Sequence, residues 1–140
     1  MSEPKIKLAF VKLQKALYAL EIIAKKPLDE DRRNIDATIQ RFEFTIELFW
    51  KLLKSILESK GVEVQYPKDV LREAYKGYLI DHEEQWLQML KDRNLTSHTY
   101  DYDENLADII YQRILTYVPV FKETYVKLAD KFNDETIDRS

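Results

Sequence analysis

At 140 residues, with 45% hydrophobic and 34% charged side chains, the chain has the length and mix of one globular domain with a real core. Two glycines and four prolines supply too few turns for a β-sandwich or barrel, which favours helices. The absence of cysteine excludes a disulfide scaffold and any thiolate metal site, and a net charge of -3 argues against a general nucleic-acid coat protein.

The N-terminal segment MSEPKIKLAF lacks the apolar stretch and small-residue cleavage site of a signal peptide. No apolar run approaches the roughly 20 residues needed to cross a bilayer. The expectation is a soluble cytoplasmic protein with no membrane partner. Charge is spread unevenly. Residues 1–26 carry six lysines against two glutamates, whereas residues 101–108 carry four carboxylates and no basic group.

Hydrophobic spacing predicts five helices. In the first, Ile6, Phe10, Leu13, Leu17, Leu20 and Ala24 recur at intervals of three and four; Pro4 lies near its start and Pro27 ends it. A second opens at the carboxylates of residues 29–31, carries the stripe Ile35, Ile39, Phe42, Ile46, Phe49, Leu53 and Ile56, and closes at Gly61. Pro67 suits the first position of a short helix that stops near Gly77. A fourth helix, from about Asp81, carries Trp86, Leu87, Met89 and Leu90, the tryptophans at 50 and 86 reading as core or interface anchors. His82 reads as an exposed residue at its start. The last helix begins near Asp103 and runs past Phe132, with Pro119 inside it as an expected bend. The predicted fold is all-α, an antiparallel up-and-down bundle of three long and two short helices. It forms one domain over residues 1–132, and residues 133–140 are a polar, frayed tail.

Between the fourth and fifth helices stands DRNLTSHTYD, residues 92–101, with one of the two histidines of the chain. Asn94, Thr96, Ser97 and Thr99 are mediocre helix formers, so a helix end and a new start are expected here, with Asp101 or Asp103 as cap. The plain reading is a polar turn in which Arg93 caps a C-terminus and His98 is incidental. The spacing Arg-x4-His-x-Tyr supports a sharper one.

Arg93, Asn94, His98 and Tyr100 together resemble the signature of HEPN domains, which are helical bundles. IQRFEFTIELFWK, residues 39–51, is similar to the second-helix signature of the HEPN branch called nucleotidyltransferase substrate-binding proteins, and the likeness covers nearly the whole chain. The resemblance implies a metal-independent ribonuclease that needs no cofactor, with Arg93 and His98 as its catalytic pair. It also implies a toxin encoded beside a minimal nucleotidyltransferase, the antitoxin partner, which silences the nuclease by adenylylating Tyr100. HEPN nucleases commonly pair two motifs in one cleft, so a homodimer is implied as well.

The residues suit that chemistry. RNA, unlike DNA, carries its own nucleophile in the 2'-hydroxyl, so the protein need only move protons and stabilise charge on phosphorus. Histidine titrates near neutrality and can exchange the proton; arginine offers a fork of donors to phosphate oxygens. Asn94, Thr96 or Ser97 are candidates to orient phosphate or imidazole. The carboxylates at 101, 103, 104 and 108 read as a solvated helix start rather than a metal site. Glu43 and Glu47 are four apart on one helix face: either one of them orients Arg93 or, more simply, they form a solvated edge with Lys51 as partner.

Spacing sets one geometric condition. On a continuous helix residues 93 and 98 lie about 140° apart and cannot converge on one phosphate. Either the helix breaks between them, as the composition suggests, or a second copy completes the site. Three readings follow: a nuclease silenced by its partner, a non-catalytic substrate- or nucleotide-binding subunit of a two-component nucleotidyltransferase, and a purely structural bundle. The acidic pI of about 5.5 keeps the second alive by favouring a protein partner over free RNA.

Overall fold

In a computed structural model, residues 3–98 and 104–139 are described, with side chains for 3–97 and 104–133. Five helices follow in the expected order: α1 (Glu3–Lys25), α2 (Arg33–Ser59), α3 (Pro67–Lys76), α4 (Glu83–His98) and α5 (Glu104–Arg139). No strand occurs among the described residues. The helical assignment of α5 runs to Arg139, through the stretch expected to fray. No helix among the described residues is long and apolar enough to cross a membrane.

The stripe read from the sequence is why α2 becomes the centre of the bundle. Ile35, Ile39, Phe42, Ile46, Phe49, Leu53 and Ile56 are all buried, and α2 packs against each of the other four helices. Its aromatic residues set the register. Phe49 stacks on Phe121 of α5 with centroids 5.1 Å apart, while Trp86 of α4 meets Phe49 edge-on at 5.1 Å and Phe121 at 5.6 Å. Phe42 stacks on Tyr117 at 5.6 Å. Such pairs each add about 0.5–1.5 kcal/mol to the burial of their area. Trp86 is fully buried, and its Nε1 has no hydrogen-bond partner among the described residues. Its ring packs into the core with Met89 and Leu90 of the same helix.

The connections show where local chemistry did and did not act as expected. The acidic run before α2 works at a distance of one turn: the helix starts at Arg33, and Asp29 Oδ1 accepts the Asn34 amide at 3.0 Å. Arg32, left-handed at φ 62, donates to Asp108 Oδ1 of α5 at 2.6 Å. Two of the carboxylates read as a solvated helix start, Glu104 and Asp108, therefore pair with Arg32.

Gly61 at φ 85 closes α2: its own amide reaches the Glu58 carbonyl and the Val62 amide reaches Leu57, at 3.0 and 2.9 Å. At the end of α3 the same pattern is displaced by one residue. Gly77 is at φ -87 and the left-handed position falls to Tyr78 (φ 61), with the Leu79 amide bonded to the Ala74 carbonyl at 2.9 Å.

Candidate functional site

The outer edge of α2 carries Glu43, Glu47 and Trp50, spaced four and three residues apart, so all three rise from the helix on the side where α4 lies. Glu47 is the hub of this edge. Its Oε2 accepts from Arg93 of α4 and from Trp50 Nε1 at 3.1 Å, and its Oε1 lies 3.4 Å from Lys51 Nζ. The simpler expectation for this edge, a solvated row with Lys51, thus describes part of the arrangement; Arg93 and Trp50 complete it. Burial raises the Glu47 carboxyl, but the Trp50 indole, Arg93 and Lys51 together outweigh it and hold the group below the ordinary value of 4.5. Glu47 is therefore a carboxylate at neutral pH, and it is what Arg93 leans on.

Arg93 keeps 24% of its side chain exposed. One arm meets Glu47, and Nη1 donates to Asn94 Oδ1 at 2.9 Å. The guanidinium is thus fixed from two sides while part of it faces solvent. A pre-positioned, partly open cation of this kind suits an incoming phosphate, because little ordering is left to do when the anion arrives.

Thr96 and Ser97, candidates for orienting phosphate or imidazole, both turn to α2. Their hydroxyls donate to Glu43 Oε2 at 2.7 and 2.8 Å. This pairing explains a departure from expectation. The sequence favoured a helix break inside 93–98, yet α4 runs unbroken to His98. Thr96 is buried, and Glu43 gives it and Ser97 a tertiary partner, which overrides their weak intrinsic preference. Positions 93 and 98 consequently lie about 140° apart on one helix. Of the two ways to bring them to one phosphate, the break within the chain is excluded.

Beneath the arginine lies a residue the sequence reading did not single out. Asp92 is fully buried and its carboxylate joins α4 to α5. Oδ1 accepts from Arg113 Nη1 at 2.7 Å and from Gln88 Nε2 at 2.9 Å; Oδ2 accepts the Tyr117 hydroxyl at 2.5 Å. Burial, and then the bond to Asp92, push the Tyr117 phenol far above its usual range, so it stays a donor. A signal was available: Asp92 falls on the inward stripe of Trp86, Met89 and Thr96, and Arg113 and Tyr117 stand four apart on α5.

The backbone of His98 ends α4, and its side chain lies outside the described residues, as do Tyr100 and the proposed caps Asp101 and Asp103.

A family described as nucleotidyltransferase substrate binding protein like matches residues 8–130. The chain belongs to this family. It is a HEPN-type protein, and both quoted signatures, residues 39–51 and 92–101, fall inside the matched range. A Haemophilus influenzae protein named probable ribonuclease HepT is 38% identical over 85 residues, which are 57% of this chain and 57% of that relative. The chain thus spans little more than half the length of that relative. A crystal structure of a protein from Thermus thermophilus has 37% identity and a TM-score of 0.74, covering 83% of this chain and 98% of that one. The two quoted stretches bring together α2 and α4: Glu47 holds Arg93, and Glu43 holds the Thr96 and Ser97 hydroxyls.

Proposed function

We propose that the protein is a metal-independent HEPN endoribonuclease, a toxin that works with a minimal nucleotidyltransferase and is silenced when that partner adenylylates Tyr100. The supporting observation is the bracing of Arg93 by Glu47 and Asn94 at the head of the Arg-x4-His-x-Tyr motif. Its family and the name of the Haemophilus influenzae relative point the same way.

In this reading Arg93 binds the non-bridging oxygens of the scissile phosphate. His98 takes the proton from the 2'-hydroxyl, the 2'-oxygen forms its bond to phosphorus, and the bond to the 5'-oxygen breaks as that oxygen is protonated. The products are a 2',3'-cyclic phosphate and a 5'-hydroxyl. Because α4 is continuous to residue 98, positions 93 and 98 fall on different faces of one helix, which favours a homodimer in which each cleft draws on two motifs. Adenylylation joins the Tyr100 oxygen to the α-phosphorus of ATP and releases pyrophosphate. It adds a negative phosphodiester two residues beyond His98 in the chain, competing with RNA by charge and bulk.

The test is cleavage of RNA by the purified protein free of its partner, in EDTA. Arg93→Ala and His98→Ala should each abolish cleavage and growth inhibition while keeping the helical circular dichroism of the parent. A parent that cuts no RNA, and alanine variants indistinguishable from it in cells, would leave the non-catalytic binding subunit as the correct reading.

A further inference from the structure

Beside the braced arginine, on the face of α4 turned away from α2, α3 and α4 enclose an open groove of about 550 Å³. Lys68 and Arg72, one turn apart on α3, form one wall; Lys91 and Asn94 of α4 form the other. Leu87 and Leu90 contribute apolar surface, and the one carboxylate of the lining is Glu84, two turns before Lys91. Among the described residues, Lys68, Arg72 and Lys91 make no ion pair. In a chain of net charge -3, three cations without an ion pair, set against one carboxylate in the lining, form a local site for an anion.

Two features tie the groove to the motif. Asn94 lines it and also accepts the Arg93 guanidinium at 2.9 Å, so groove and arginine share a side chain. Of the α4 positions that line it, 84, 87, 91 and 94 recur at intervals of three and four, and position 98 is the next place on that stripe. From 87 to 98 the stripe is about 16 Å long, from the rise per residue of a helix.

We propose that this groove holds the single-stranded RNA that flanks the scissile phosphate, with Lys68, Arg72 and Lys91 on its phosphates and Leu87 and Leu90 under its sugars and bases. The proposal rests on the nuclease reading for its substrate, and it assigns residues outside the Arg-x4-His-x-Tyr motif to substrate binding. A positively charged groove with an apolar floor tracks a flexible strand without reading its sequence. Continuity with Arg93 and with position 98 favours RNA over an acidic protein as the occupant.

The experiment measures binding of a 2'-O-methyl oligoribonucleotide, whose blocked 2'-oxygen cannot be cleaved, by fluorescence anisotropy between 50 and 200 mM salt. Three proteins are compared: the parent, the groove variant Lys68→Gln/Arg72→Gln/Lys91→Gln, and a control of equal charge, Lys5→Gln/Lys12→Gln/Lys15→Gln on exposed positions of α1. All six positions are exposed, so the helical signal and melting temperature of each variant should match the parent.

The groove variant should bind at least about tenfold more weakly at low salt, with a log–log salt slope shallower by about 2, because each lost phosphate contact removes roughly 0.7 for a single strand. The α1 control should stay within about twofold of the parent. A groove variant that matches the α1 control overturns the proposal and assigns these cations to a protein contact; a parent that binds no RNA overturns it too. Cleavage of unmodified RNA is scored separately. A parent that binds through the groove without cutting sinks the nuclease reading and leaves the groove standing.

Discussion

Replacing Asp92 with alanine removes the one acidic side chain that is fully buried among the described residues, and with it the polar tie between α4 and α5. Three donors lose their acceptor. The Tyr117 ring is buried, so its hydroxyl is left without a partner; Gln88 is partly buried; Arg113 keeps 42% of its side chain exposed and turns to water. A hydrogen bond to a charged group contributes about 1.5–3 kcal/mol, and breaking a buried pair costs about 3–5 kcal/mol when the survivor stays buried. Because Arg113 escapes to solvent, the lower end applies, and Asp92→Ala should lose about 3 kcal/mol. For a chain of this size that lowers the melting temperature by roughly 10 °C.

Tyr117→Phe leaves the carboxylate with two donors and should lose about 1–2 kcal/mol. Urea denaturation followed by circular dichroism, run on both single variants and the double, isolates the pair. The double variant should be less destabilised than the sum by about 1 kcal/mol or more, because both changes break the same bond. An Asp92→Ala protein within about 0.5 kcal/mol of the parent, or strictly additive losses, would refute the view that this carboxylate ties the two helices.

Glu47→Gln should lower stability by about 1 kcal/mol at pH 7, since Glu47 is a partly buried carboxylate with three donors. Its folded pKa lies below 4.5, so the advantage of the parent is present above that value and vanishes as pH falls through the folded one. Melting curves of the two proteins should converge in acid and separate towards neutrality; a gap that persists at pH 2–3 would contradict the assignment. Tyr100→Phe should remain toxic yet escape the enzymatic action of the nucleotidyltransferase, and mass spectrometry of the co-expressed parent should find adenylyl groups on the peptide containing Tyr100. An unmodified Tyr100 in a neutralised complex would mean that the partner works by occlusion. The protein should sediment as a homodimer at micromolar concentration, as a composite cleft requires; a monomer there counts against that cleft.

Much of the architecture was legible because burial imposes a period of 3.6 on long helices, and the stripes of α1, α2 and α5 are nearly free of interruptions. Gly61 was legible for a local reason, as the residue that takes a left-handed backbone without strain. Tyr78 was not, since nothing local to that position favours tyrosine at φ 61 over the glycine beside it. The continuity of α4 was hidden because the hydroxyls that weaken it locally are satisfied by Glu43, which lies 53 and 54 residues away in the chain. Asp92 was hidden by its type: a carboxylate counts as polar surface until Arg113 and Tyr117 are known to face it. The spacing of Glu43 and Glu47 was visible, whereas their division of labour, one on Arg93 and one on the hydroxyls of the following turn, depends on how α4 lies on α2.

The contacts that hold α4 in place join residues far apart in the chain, and this sets when the helix can be fixed during synthesis. The partners Glu47 and Arg93 are 46 residues apart, Glu43 and Thr96 are 53 apart, and Asp92 waits for Tyr117, a further 25 residues on. A nascent chain that ends within α4 carries Arg93 but neither Arg113 nor Tyr117, so α4 lacks its tie to α5. Docking of α4 against α5 is thereby postponed until α5 has been made through Tyr117, after Arg93 and Glu47 are both in the chain.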